Sequence, residues 1–312
     1  MKEIYEKFKL KTNFLGIELE SPLVLPAGIM DLSFSGMKYA VEKGAGIVTS
    51  KSLTLNPRKG HSGPVVAEFD GGMLNSMGLC NPGIEAGIIE IDTFKEKTDK
   101  PLIISIFGTD AEEFKNLIEI ANSSKADFIE LNLSCPNVFD EFGIPLSASN
   151  EKVYEIVTVS KEVSKKPLIA KLSPNVYDIK KIALSAEEAG VDALCLINTL
   201  GPGMLIDIKM RKPVLQNIFG GLSGPCVKPI ALKLVYETYS TVQVPIIGTG
   251  GINTGKDAVE MLMSGSALIG VGTAVKDRGI DVFTKINNEI VNYLEENNLG
   301  NINEIERLTK LS

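Results

Sequence analysis

PLIISIFGTDAEEFKNLIEIANSSKADFIELNLSC, residues 101–135, holds the unit from which most of the chain is built. Its ends, PLIISIFG (101–108) and DFIELNLSC (127–135), are β-rich and largely apolar, as parallel strands covered on both faces must be. Between them, after Asp110, Phe114, Leu117, Ile118 and Ala121 fall at i, i+3, i+4 and i+7 and give a helix one apolar face. The alternation continues outward in both directions. Upstream stand PLVLPAG (22–28) and AGIVTSKS (45–52); downstream stand PLIAKLS (167–173), DALCLINT (192–199), VPIIGTGG (244–251) and ALIGVGT (267–273). Helical spacing recurs after Ser149 (Val153, Ile156, Val157) and near the end (Phe283, Ile286, Ile290, Leu294). Eight strand–helix alternations within about 250 residues predict an α/β fold of the (β/α)8 TIM-barrel type. An open doubly wound sheet usually has fewer strands, and its GxGxxG fingerprint opens no helix here. KTNFLGIELE (11–20) alternates apolar and polar residues and predicts an N-terminal hairpin.

Two connections, 53–83 and 200–225, are too long for ordinary strand-to-helix turns, and both leave the C-terminal ends of strands, where barrels place their chemistry. They read as long functional loops. With no low-complexity linker, residues 1–312 read as one domain, and 44% hydrophobic content supports a full core. A formal charge of −7 without a basic stripe argues against nucleic acid. MKEIYEKFKLK lacks the apolar centre of a secretory signal, and no apolar run approaches the roughly 20 residues that span a bilayer. The expectation is a soluble, cytoplasmic protein that binds no membrane. Cysteines 80, 135, 195 and 226 are too scattered for a zinc or iron–sulfur site, and with His61 the sole histidine, no metal is expected. Cys195, inside ALCLIN (193–198), reads as a small buried hydrophobe, and His61 as an exposed loop residue.

Polar residues close the apolar strands: Lys51 and Ser52, Asn132 and Cys135, Lys171, Asn198 and Thr199. Converging on one barrel mouth, they need a partner such as a bound anion to offset the burial of charge. Gly248-Thr249-Gly250-Gly251 and Gly270-Val271-Gly272-Thr273 end the last two strands, where absent side chains let backbone amides approach a phosphate. These residues imply a phosphate-binding barrel with a cationic, amide-lined mouth and one candidate thiol. They leave the reaction open, since a flavin-free phosphate-sugar lyase or synthase, or a non-catalytic binding barrel, would carry the same glycines.

Three motifs narrow the reaction. ELNLSCPN (130–137) resembles the active-site segment of the dihydroorotate dehydrogenase family, and NSMGLCNPG (75–83) resembles its orotate-binding loop. NTLGPGMLIDIKMRKPVLQNIFGGLSGPCVKP (198–229) is similar to the corresponding stretch of the class 1, B-type (NAD-linked) catalytic subunit. The resemblance runs from about residue 22 to 274. It implies one FMN per chain, its phosphate on the amides of Gly250, Gly251, Gly272 and Thr273. Ala27, Gly28, Lys51, Ser52, Ser105, Asn132, Lys171, Ile197 and Gly224 match the family's other flavin contacts, with Lys171 on the N1–O2 side. Dihydroorotate would be contacted by Lys51, by Asn75, Ser76, Met77, Gly78 and Leu79, and by Asn132, Asn137, Asn198 and Thr199. Cys135 would be the base that takes the C5 proton while a hydride passes from C6 to flavin N5.

The resemblance further implies oxidation to orotate in pyrimidine (UMP) biosynthesis. Electrons would pass to NAD through a second subunit carrying FAD and a 2Fe–2S cluster, on a homodimer core of a heterotetramer. An A-type, fumarate-reducing oxidase is the alternative within the family. Two departures stand out. After SCPNV the bacterial B-type pattern continues with lysine and paired glycines, whereas this chain reads Phe139-Asp140-Glu141-Phe142-Gly143. Ser105 stands where an asparagine contacting flavin is more usual.

Overall fold

In chain order the strands begin with a hairpin, β1 (Thr12–Phe14) and β2 (Ile17–Leu19), followed by β3 (Leu23–Leu25) and β4 (Ile47–Thr49). Next come β5 (Val66–Phe69), β6 (Gly72–Asn75), β7 (Leu102–Ile106), β8 (Phe128–Asn132), β9 (Leu168–Lys171) and β10 (Ala193–Leu196). The remainder are β11 (Leu200–Gly203), β12 (Ile206–Asp207), β13 (Lys212–Pro213), β14 (Gly220–Ser223), β15 (Ile246–Thr249) and β16 (Leu268–Gly270). This computed structural model describes residues 9–134 and 149–311. Eight of the strands close a parallel barrel in the order β3-β4-β7-β8-β9-β10-β15-β16, with β16 pairing back to β3. They are the eight apolar runs, each trimmed by a few residues at its ends.

Alternation along each strand divides the core in two. Outward residues such as Ile104, Ile129, Leu131 and Leu194 pack against the helices in one large cluster with Phe114, Leu117, Val153, Ile156, Phe283 and Ile290. These are the apolar helical positions anticipated from spacing. The helices start where the sequence offers caps: the Asp110 carboxylate accepts from the Glu113 amide at 2.9 Å, and Ser149 from the Lys152 amide at 3.2 Å. Inward residues Val24, Ile47, Ile103, Phe128, Ile169, Ala193, Ile247 and Leu268 form a second cluster at the bottom of the lumen, closed by Phe14 and Leu19 of the hairpin. Phe14 meets Phe128 edge to face, ring centres 5.7 Å apart.

Both long connections carry strands, which corrects their reading as loops. β11, β14, β6 and β5 pair in that order into an antiparallel sheet across the barrel mouth, and β12 pairs with β13 beside it. LGPG and GGLS have little strand propensity of their own; GGLS pairs with β6, more than a hundred residues away in sequence, and LGPG pairs in turn with GGLS. His61 is likewise half-buried, its Nδ1 3.1 Å from the Ser76 carbonyl. Among the described residues, no helix is long and apolar enough to cross a membrane.

If the hairpin plugs the lumen, Phe14→Ala leaves a cavity under β8 that the closed barrel cannot collapse. The expected loss is about 3–5 kcal/mol in urea unfolding; a loss below about 1 kcal/mol would show that the plug adds little.

Candidate active site

Two residues along six of the eight barrel strands from the apolar floor, the lumen turns polar. Ile47 gives way to Thr49, Ile103 to Ser105, Phe128 to Glu130, Ile169 to Lys171, Ala193 to Cys195 and Ile247 to Thr249. Above this layer opens a cavity of about 540 Å³ at the C-terminal ends of the strands. Its wall brings together Lys51, Ser52, Asn132, Lys171, Asn198 and Thr199 from the strand ends, Asn75 from the end of β6, and Ser76 through Leu79 from the segment after it. Ala27, Gly28, Ile197, Gly224, Gly250, Gly251, Gly272 and Thr273 line it as well. Cys135, Asn137 and the divergent 139–143 segment lie outside the described residues.

Ser105 does not line the cavity. Fully shielded, its hydroxyl donates to Glu130 at 2.8 Å and lies 2.9 Å from the Ser52 hydroxyl, one layer below the mouth. Its hydroxyl serves as an internal brace between Ser52 and Glu130. From Ser52 the hydrogen bonds continue upward. Asn132 donates to Ser52 at 2.9 Å, Ser134 donates to the Asn132 oxygen at 2.8 Å, and Asn198 donates to Ser134 at 2.6 Å. Two strand-end asparagines far apart in sequence, Asn132 and Asn198, are thereby joined in one network.

Lys171 and Glu130 are both almost completely buried, with Nζ 3.9 Å from the carboxylate. Burial works against the ammonium charge, but Glu130, with further help from Asp31, outweighs it and holds the lysine pKa above its ordinary value. Asp31, buried beside the mouth, is pushed up by burial against the pull of Lys51 and the Gly28 amide it accepts from. Cys195 is pushed up to about 12, by burial first and by the Glu130 carboxylate second. It is a neutral thiol at physiological pH, in keeping with its reading as a buried hydrophobe.

The glycine ends of β15 and β16 leave room only for backbone. A Cβ on Gly251 would stand 2.7 Å from the Lys228 amide nitrogen, and one on Gly250 would meet the Ala231 methyl at 2.7 Å; both have positive φ. Lys228 is itself held by Asp257 at 2.6 Å and Glu260 at 2.7 Å, which fixes the helix start beneath the glycines. Across the mouth, β6 pairs with β14, placing Asn75 opposite Gly221, and a Cβ on Gly221 would strike the Thr199 side chain at 2.1 Å. Asn81 shapes the segment after β6, accepting from the Thr54 and Gly83 amides and donating to the Leu79 carbonyl. Sequence reading missed Asn81, Ser134, Asp31 and Glu130. The strand parity of Glu130, shared with Asn132, was the available signal.

The dihydroorotate dehydrogenase family model matches residues 9–294. The chain is 45% identical over 296 residues to "Dihydroorotate dehydrogenase B (NAD(+)), catalytic subunit" of Pyrococcus abyssi, covering 95% of this chain and 97% of the relative. It is 46% identical to the protein of the same name from Thermococcus kodakarensis, over 95% and 97%, and 44% to that from Methanocaldococcus jannaschii, over 93% and 95%. The chain belongs to the dihydroorotate dehydrogenase family.

Of the three described cysteines, Cys80 and Cys226 are exposed and Cys195 is buried, a difference that can be read chemically. Iodoacetamide at about pH 8 should modify exposed Cys80 in the native protein and reach Cys195 only after denaturation, as read by peptide mass mapping. Native labelling of Cys195 at the rate of Cys80 would contradict the buried, protonated thiol.

Proposed function

We propose that this chain is the catalytic subunit of an NAD-linked, B-type dihydroorotate dehydrogenase, oxidising dihydroorotate to orotate in pyrimidine biosynthesis with FMN in the cavity. One observation carries the reading: a single cavity runs from a side-chain-free glycine cradle, over a buried lysine, to a rim of lysine and asparagine side chains. The cradle fits a phosphate: Gly250 and Gly251 lie past the end of β15 where a side chain would clash, and Gly272 and Thr273, past the end of β16, would add their backbone amides. Ala27, Gly28, Ser52, Ile197 and Gly224 would border the ring system. FMN, when bound, supplies the two-electron acceptor.

Lys171 would place positive charge under the electron-rich edge of the cofactor, and Lys51 would face the substrate carboxylate. Asn75, Asn132, Asn137, Asn198 and Thr199 offer paired donors and acceptors for a ring of amides and carbonyls, with Ser76, Met77, Gly78 and Leu79 covering it. Hydrogen bonds already join Asn132 and Asn198 through Ser134, so these two carboxamides meet substrate without first being ordered. Cys135 would remove the C5 proton. Cys195 cannot substitute for it, since its thiol is buried off the cavity wall with a pKa pushed to about 12.

Electrons would leave through a partner subunit carrying FAD and a 2Fe–2S cluster, docked on a homodimer of this chain in the cytoplasm. The sequence carries no dinucleotide fingerprint for NAD, and its four cysteines are too scattered to hold a cluster.

A dihydroorotate-driven reduction assay tests the reading. Cys135→Ala should slow cofactor reduction at least about 100-fold while FMN stays bound, and the unaltered chain should pass electrons to a dye but form NADH only with the partner. A loss under about tenfold in Cys135→Ala would remove Cys135 as the base. NADH formation by the isolated chain would remove the relay.

A further inference from the structure

The Lys171 ammonium sits at the base of the cavity with its charge almost wholly withdrawn from water, a position that is stable only with a compensating anion. Four ionisable groups face it from the elements packed around it. Glu130 comes from β8, Cys195 from β10, and Asp31 from the segment after β3, with Lys51 beyond Asp31. Cys195 adds no charge at neutral pH. Asp31 is already committed to the Gly28 amide and to the field of Lys51, and burial favours its protonated form. Glu130 is the remaining counter-charge, and its own orientation is fixed by the Ser105 hydroxyl at 2.8 Å. At 3.9 Å the pair is within electrostatic reach yet longer than a hydrogen bond, so Glu130 compensates the ammonium without capturing its N–H donors.

We propose that Glu130 is a positioning residue of the active site: it keeps Lys171 charged and its donors free for the ligand above, whether or not the cavity is filled. Ser105 braces Glu130, and through Ser52, Asn132, Ser134 and Asn198 the same hydrogen-bonded chain reaches the substrate rim. An ammonium already charged has no proton to take up when negative charge arrives. A neutral amine at that position would have to acquire one. The floor of the cavity therefore sets how many protons accompany reduction of the bound cofactor, a consequence that rests on the flavin reading given above. The charge state of Lys171 does not rest on it.

The first experiment needs no cofactor. In protein labelled with 13Cε-lysine, the Lys171 signal, assigned by its loss in Lys171→Met, should stay in the ammonium form to about pH 10 in the unaltered chain. In Glu130→Gln it should titrate at least one unit lower, and Glu130→Asp should restore it. Identical titration of Lys171 in the unaltered and Glu130→Gln proteins would overturn the proposal. Should Glu130→Gln fail to fold, Ser105→Ala removes only the brace and should shift the same titration downward by a smaller amount; no shift there would overturn it equally.

The second experiment reads the midpoint potential of bound FMN against pH. Glu130→Gln should take up one more proton per electron pair on the alkaline side, and bind FMN about tenfold more weakly there than at acid pH. The extra proton should vanish in the double variant with Lys171→Met. If it persists without Lys171, Glu130 acts through another group and the proposal fails. Absence of FMN binding by the unaltered chain would sink the functional reading, and the first experiment would still decide this one.

Discussion

A closed parallel barrel must fill its own lumen, and here it does so with an abrupt change of polarity. Below one level the inward positions are apolar and sealed by Phe14 and Leu19; one inward position higher they become Thr49, Ser105, Glu130, Lys171, Cys195 and Thr249. Buried polar groups of this kind are tolerable only when satisfied, and the buried Lys171–Glu130 pair is the costliest of them to disturb. Everything above inherits its position from that layer. Ser105 and Ser52 brace one side of it; Asn132 is hydrogen-bonded to Ser52, and Asn198 to Asn132 through Ser134. The apolar plug also matters to the charge chemistry. It keeps water from reaching the pair from beneath, so the field of Lys171 is directed upward into the cavity.

The mouth is organised by a second constraint, close backbone packing. Gly250 and Gly251 press against Ala231 and Lys228, Gly221 against Thr199, and Gly224 approaches Gly72 so closely that a Cβ would stand 3.0 Å from its Cα. These contacts join one end of the cavity, built for an anion, to the other, covered by the antiparallel sheet. A cofactor carrying a phosphate and a flat ring system, with a small carboxylated substrate beside it, suits both ends together, where a sugar phosphate alone would use only the first.

Much of this was legible in the sequence. All eight barrel strands, the hairpin and the apolar helical faces follow from periodicity, because each is a local pattern whose burial the barrel simply completes. The strand-end lysines, asparagines and glycines do converge on one cavity for the same reason: parallel strands share a C-terminal face. What local pattern could not supply was pairing between distant segments. GGLS becomes a strand because β6 lies beside it, LGPG because GGLS then offers it an edge, and His61 is half-buried because Gly78 lets the chain fold over it. Glu130 was passed over as part of an apolar run, although its parity with Asn132 turns it inward, where it accepts from Ser105.

The central claim is that this cavity holds a flavin and lets dihydroorotate reduce it. Its most direct test is the visible absorbance of the purified protein during anaerobic titration with dihydroorotate. The account predicts a yellow protein with one FMN per chain, bleached stoichiometrically as orotate forms. A colourless protein that takes up no added FMN, or a bound flavin that dihydroorotate leaves oxidised, would contradict it.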